Sequence, residues 1–262
     1  TVKEMVDNSL DACQEMKVLP EIKVILEETS IDRYKVTVED NGPGIVKQQI
    51  PNIFAKLLYG SKFHRLKMSR GQQGIGVSAS VLYGQLTTGK PVKIISKIGP
   101  TVKAHYFELH LNTKTNEPEI VKDEEREWEG KDHGTKVQIE LEGKYQEGRL
   151  SIEEFLQLTA ISNPHAQIIF KRPSGDVTEY PRASEELPKE PKEIKPHPYG
   201  IELGILMKML SDTKSHTLSA FLQDDFSRVS SAVAKEICEK ANLNANSKPK
   251  NLNRDDVEKI FQ

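Results

Sequence analysis

Glu4 and Asn8 stand four residues apart in a stretch whose apolar positions, Val2, Met5, Val6, Leu10, Cys13 and Met16, recur at helical spacing. Both side chains then leave one helix face, one turn apart. A carboxylate so placed can take a proton from a water aligned for attack on a phosphoryl group. The neighbouring amide oxygen can hold Mg²⁺ without adding charge. Asp7 is the rival base and ranks second to Glu4. Taken alone, Glu4, Asp7, Asn8 and Asp11 also read as the solvated face of an amphipathic helix.

Two further stretches change the weight of that reading. Asp40-Asn41-Gly42-Pro43-Gly44 follows an alternating segment and offers a carboxylate at a strand end, then a flexible turn. In a pocket, Asp40 needs donors for its lone pairs, and the exocyclic amine of adenine is one; Gly44 would let the backbone approach the base. Gly71-Gln72-Gln73-Gly74-Ile75-Gly76 is a glycine-rich loop leading into a helical pattern, where unpaired N–H groups and the helix dipole favour phosphate. Ser61 and Lys62 stand where a loop could fold over a nucleotide, and Thr135, after Gly134, could bind a water shared with Asp40 and the base. Each motif has a plain alternative: a turn for Asp40–Gly44, a surface loop for Gly71–Gly76, a solvated lysine for Lys62 and an ordinary strand start for Thr135. Together they describe an ATP site.

Composition narrows the remaining classes. Lys+Arg at 37 against Asp+Glu at 39 gives a formal charge of -2, so any contact with nucleic acid must be local. Cys13 and Cys238 lie far apart, as expected of a reducing compartment rather than a disulfide framework. No apolar run approaches the length of a membrane span. The seven histidines and two cysteines show no metal-ligand spacing, and neither a Gly-x-Ser-x-Gly elbow nor a Walker-type loop is present.

The elements that must position these groups follow from periodicity. Ile22, Val24 and Leu26, and then Tyr34, Val36 and Val38, alternate as a hairpin; Val92–Ser96, Val102–Leu111, Thr135–Leu141 and Gln167–Phe170 read as further strands. Helices are expected at Val2–Met16, Ile50–Leu58, Gly74–Tyr83 and Ser151–Ile161, the last with a Ser151/Glu154 capping box. Residues 59–73 read as a mobile loop, and Asn112–Lys131, with one β-like stretch around Ile120, as a polar surface hairpin and loop. This order suggests an α+β sandwich, one mixed sheet with helices on one face. Pro188, Pro191 and Pro196, interleaved with Lys and Glu, mark a stiff connector over 183–198 between a domain at 1–182 and a small helical module at 199–262. The helix-like patterns at Thr1 and Gln262 suggest a part of a longer protein.

Glu4–Ala12, Asp40–Gly44, Gly71–Gly76 and Gly134-Thr135 resemble, in order, the four signature boxes of the Bergerat-fold ATPases: gyrase, heat-shock protein 90, histidine kinases and MutL. Leu57–Phe63, Ser69–Ser78 and Lys195–Gly200 resemble more narrowly the B subunits of type II DNA topoisomerase VI. That resemblance implies Glu4 as general base, Asn8 as Mg²⁺ ligand, and Asp40 as adenine acceptor with Thr135 beside it. It also implies Ser61, Lys62, Gly71, Gln72, Gln73, Gly74, Ile75, Gly76, Val77 and Ser78 as lid and phosphate contacts, and residues 199–262 as a helix-two-turns-helix domain.

The partners implied are ATP, Mg²⁺, DNA, a DNA-cleaving A subunit in an A2B2 heterotetramer and a second B subunit in ATP-dependent dimerisation. The setting implied is cytoplasmic, or nuclear in a eukaryote, with no membrane. An N-terminal dimerisation segment before Thr1 and a transducer domain after Gln262 would complete the family pattern, so the isolated chain is expected to bind ATP but hydrolyse it poorly. A MutL-type mismatch-repair ATPase shares the Val6–Ala12 opening but typically has Phe-Arg-Gly-Glu where this chain has Gln72-Gln73-Gly74-Ile75. A non-catalytic scaffold is the other rival, and the intact Glu4, Asn8 and Asp40 speak against it.

Overall fold

Alternation of apolar and polar residues builds the first unit around one row of side chains. In the computed structural model, which describes residues 1–59, 75–189 and 194–262, Phe170, Val24, Val38, Val137, Ile94 and Phe107 lie opposite one another across six adjacent strands. All six are buried. The strands are β1 (Glu21–Ser30), β2 (Arg33–Glu39), β3 (Val92–Lys97), β4 (Ala104–Asn112), β5 (Glu117–Arg126), β6 (Gly134–Glu142), β7 (Gln167–Lys171) and β8 (Val177–Tyr180). They form one sheet in the order β5-β4-β3-β6-β2-β1-β7-β8, in which only β1 and β7 run parallel.

Side chains of period two send the next residues of each strand to the opposite face. There Lys23, Lys35, Lys93, Lys136 and Gln138 meet solvent, with Lys35 paired to Glu27 at 2.6 Å and Lys136 to Glu39 at 3.6 Å. The sheet is therefore covered on one face. The helices doing so are α1 (Val2–Met16), α2 (Ile50–Ala55), α3 (Gly76–Thr88) and α4 (Ile152–Ser162). Val2, Met5, Val6 and Leu10 of α1, Phe54 of α2, Val77 and Val81 of α3 and Leu156 of α4 join the strand residues in a single core.

Local chemistry sets where these helices begin and end. Pro51 sits in the first turn of α2, where its missing N–H costs no hydrogen bond. Lys17 closes α1 in the left-handed conformation, its N–H reaching the carbonyls of Cys13 and Gln14. Ser151 caps α4 by accepting from Glu154 N at 3.1 Å.

Two helix boundaries change, and one edge strand is longer than expected. The helix at residue 50 stops at Ala55, and the one following the glycine-rich stretch runs from Gly76 to Thr88. The polar 112–131 stretch contains a ten-residue strand, β5, at the sheet edge. It carries little alternation because this strand is largely exposed on both faces. Charge holds it to the preceding elements, through Lys47–Asp123 at 3.1 Å and Lys56–Glu117 at 2.6 Å. The four-residue β8, at the other edge, was not foreseen.

A second unit, described here by itself over residues 194–262, contains α5 (Leu203–Asp212), α6 (Leu218–Asp225), α7 (Ser231–Lys240) and α8 (Arg254–Phe261). Its core is Leu206, Leu210, Leu218, Phe221, Leu222, Phe226, Ala234, Cys238 and Val257. Thr217 and Ser230 cap α6 and α7, and Asn253 with Asp256 forms a capping box on α8.

Helix α3 lies directly on β6 because Gly84 has no side chain. A Cβ there would stand 2.6 Å from Ile139 Cγ2 and 2.7 Å from the Glu140 carbonyl oxygen. Alanine is the better helix former by about 1 kcal/mol, yet overpacking against a strand backbone costs ~1–3 kcal/mol. We predict that Gly84→Ala lowers stability by about 1–2 kcal/mol in urea unfolding. A gain in stability would show that α3 is not seated on β6 in this way.

Candidate nucleotide site

The apolar row across the sheet is followed, two residues further along each strand, by a row of different character. Ile168 and Ile22 continue it on β7 and β1, but the next positions are Asp40, Thr135, Ser96 and His105. Asp40 follows β2 directly, its N–H bonded to the Thr135 carbonyl at 2.9 Å. The alternation that buries Val36 and Val38 thus delivers a carboxylate onto the covered face, where it is only 6% exposed.

Three donors hold that carboxylate. Oδ1 accepts from Gly42 N at 2.9 Å and Thr135 N at 3.1 Å, while Oδ2 accepts from the Ser9 hydroxyl of α1 at 2.7 Å. Burial nonetheless dominates and raises the Asp40 pKa above its ordinary value, against these hydrogen bonds and the more distant Lys131 charge. Each carboxylate oxygen can accept two hydrogen bonds. Oδ1 is filled, and Oδ2 has room for one more donor.

The turn after Asp40 is tied down from several sides. Asn41 accepts from Glu21 N at 2.8 Å and donates to the Leu19 carbonyl at 3.0 Å, linking the end of α1 to the start of β1. The Cys13 thiol, raised to about 12 chiefly by burial, also donates to Asn41 Oδ1 at 3.4 Å. His133 Nδ1 lies 2.8 Å from the Gly42 carbonyl, and Ile45 N donates to Ser96 Oγ at 2.7 Å. Gly44 has φ of +70°, and a Cβ on it would stand 2.1 Å from the Lys97 carbonyl oxygen. The end of β3 thus leaves no room for a side chain at Gly44.

Across the site, α1 presents Glu4 half-buried and Asn8 exposed. Asp7 and Asp11 are buried, so the four residues do not make the solvated face that amphipathicity alone suggested. Asp7 turns to Lys3 at 2.5 Å, whereas Glu4 reaches the first residue of α3. A Cβ at Gly76 would come within 1.8 Å of Glu4 Oε2. No side chain caps α3, whose preceding residue, Ile75, is half-buried. Val77 and Ser78 are buried, and the Ser78 hydroxyl turns back to the Ile75 carbonyl at 3.1 Å. The N–H groups of its first turn are donors of the kind that bind anions. Ser61, Lys62, Gly71, Gln72, Gln73 and Gly74 lie outside the described residues.

Of the motif residues, Glu4, Asn8, Asp40, Ile75, Gly76 and Thr135 thus gather around α1, the start of α3 and one end of the sheet. Ser9, Asn41, Ser96 and His133 also shape the site and were missed. Ser96 had a signal: it is the polar residue where the Val92, Ile94 alternation calls for an apolar one.

A half-covered mixed sheet with a buried carboxylate at its end, facing a carboxylate-bearing helix and an uncapped helix start, defines an ATPase domain of a recognisable class. Residues 1–145 match the family described as histidine kinase-, DNA gyrase B- and HSP90-like ATPases, and the chain belongs to that family. It is more particularly similar to the B subunit of type 2 DNA topoisomerase 6 from Methanococcoides burtonii, 54% identical over all of this chain and 42% of that protein. The protein of the same description from Methanosarcina barkeri is 52% identical over 100% of this chain and 42% of its own length. The chain thus spans about two fifths of the length of these relatives. Among solved structures, the ATPase domain of Thermus thermophilus gyrase B is similar with a TM-score of 0.45 and 19% identity, over 69% of this chain and 45% of that one.

The raised pKa gives a stability prediction with a definite sign. Asp40 has a higher pKa folded than unfolded, so its contribution is fully present below the unfolded value and is lost as pH rises through the folded one. Asparagine removes this dependence while keeping an oxygen for Gly42 N and Thr135 N, and the Ser9 hydroxyl can turn to accept from the new amide. Asp40→Asn is expected to be at least as stable as the parent at neutral pH, with the difference growing from acid to neutral in melts across a pH series. A variant that loses ground to the parent as pH rises would contradict this account.

Proposed function

We propose that this chain is the ATP-binding and ATP-hydrolysing module of a type II DNA topoisomerase of the topoisomerase VI B-subunit kind. The observation that carries the reading is the spatial gathering of Asp40, with its one open acceptor position, and Glu4, seated against the Gly76 helix start. Similarity along the whole of this chain to proteins named as B subunits of type 2 DNA topoisomerase 6 supports the choice of enzyme.

In this reading the adenine amine donates to Asp40 Oδ2, and Thr135 faces the same edge of the base. The polyphosphate runs towards the first turn of α3, where the N–H groups of Gly76, Val77 and Ser78 and the helix dipole meet it. Ser61, Lys62 and Gly71 to Ser78 are assigned as lid and phosphate contacts in the same proposal. Glu4 accepts the proton of the attacking water and holds that water in line with the γ-phosphate. Asp7 is the weaker candidate because Lys3 already engages it.

Asn8 suits Mg²⁺: its exposed amide has no hydrogen-bond partner among the described residues, and such an ion commonly takes one or two protein oxygens beside water and phosphate. Bound there, it would offset phosphate charge. Among the described residues no group of three or more His, Cys, Asp or Glu could hold a metal ion, in keeping with a cation carried by the nucleotide.

ATP binding then acts as a switch. Nucleotide binding drives closure of two B subunits, and this gates passage of one duplex through a break made by a partner A subunit in an A2B2 assembly, relaxing and decatenating DNA. Residues 199–262 are assigned as the helix-two-turns-helix domain. No described helix is long and apolar enough to cross a membrane, and we place the assembly in the cytoplasm of an archaeal-type cell.

Glu4→Gln tests the catalytic assignment in the assembled enzyme. Binding of a non-hydrolysable ATP analogue with Mg²⁺ should stay within about threefold of the parent, while turnover falls by ~10²-fold or more, as for loss of a general base. Unchanged turnover would remove Glu4 from the chemistry.

A further inference from the structure

Ser96 belongs to none of the motifs, yet its side chain is joined both to the turn after Asp40 and to Thr135. Its hydroxyl lies on the covered face, fully buried. It accepts from Ile45 N at 2.7 Å, a bond that uses one lone pair. Two acceptors remain within reach of its own proton: Thr135 Oγ1 at 3.2 Å and the Gly134 carbonyl at 3.3 Å.

Because Thr135 N is already committed to Asp40 Oδ1, the backbone of Thr135 is held and only its hydroxyl proton is free to choose a direction. When Ser96 is the donor of this pair, the threonine proton must point away from Ser96 and is available to the base. The floor of the site then shows an acceptor, Asp40 Oδ2, beside a donor, the Thr135 hydroxyl. Adenine presents the complement, a C6 amine that donates beside an N1 that accepts. A 6-oxopurine presents the reverse, an oxygen that accepts beside an N1–H that donates.

We propose that Ser96 is a positioning residue for purine selection: by fixing the proton of Thr135, directly or through a water between Thr135 and the base, it makes the site favour the 6-aminopurine edge. This rests on the nucleotide-site reading above and adds the group that sets its polarity. A merely structural serine would loosen the Ile45 turn and weaken all nucleotides alike; a polarity-setting serine changes their ratio.

The test compares non-hydrolysable analogues of ATP and of inosine triphosphate, with Mg²⁺, by competition against a fluorescent ATP analogue. The inosine analogue differs only in that edge of the base. Ser96→Ala should reduce the adenine-over-inosine preference about tenfold, which is ~1.4 kcal/mol and within the range of one intramolecular hydrogen bond. Ser96→Cys keeps the volume with a weak hydrogen-bonding atom and should show the same direction; it serves if the alanine variant does not fold. Equal weakening of both nucleotides, or an unchanged ratio, overturns the proposal. Asp40→Asn separates the two levels. If it leaves ATP-analogue binding intact, the site reading fails and this inference with it. If it abolishes binding while both Ser96 variants keep the parental ratio, only the role of Ser96 falls.

Discussion

A carboxylate kept out of water at the end of a β-strand is the constraint on which the rest of this domain depends. Burying Asp40 is unfavourable in itself, as its raised pKa shows, and it is tolerated because donors from three separate segments converge on it. Ser9 comes from the first helix, Gly42 from the turn and Thr135 from a strand nearly a hundred residues later. Each of those segments is placed by apolar packing: the helix by Val6 and Leu10, the strands by the Val24, Val38, Val137, Ile94 row. The hydrophobic core therefore sets the geometry, and the polar row beyond it inherits that geometry without a separate scaffold.

The same logic explains how the phosphate-facing half is organised. Helix α3 can lie on β6 only because Gly84 lacks a side chain, and it can receive Glu4 at its start only because Gly76 lacks one. Two absent methyl groups bring a helix N-terminus and a carboxylate together. A carboxylate is favoured near a helix N-terminus, where the dipole is positive and N–H groups are unpaired.

Much of this was legible from the chain alone, for reasons of local physics. The α1 period, the β1–β2 alternation and the Ser151 cap are short-range signals, and each marks an element that is present. Asp40 was identifiable because it ends an alternating run and precedes glycine turns. What escaped was set by partners distant in sequence. Ser96 acquires its meaning only from register with Thr135 across β3 and β6, and Asn41 only from Leu19 and Glu21. The edge strand β5 lacked alternation because neither of its faces is dry. That Gly44 also packs against the Lys97 carbonyl is set by the distant β3 and could not be read locally.

The most direct test of the central claim is a structure of this chain bound to Mg²⁺ and a non-hydrolysable ATP analogue. The account predicts the adenine amine within hydrogen-bond distance of Asp40 Oδ2, with the terminal phosphate between Glu4 and the first turn of α3. A nucleotide bound with its base away from Asp40, or with its phosphates remote from Gly76, would contradict it.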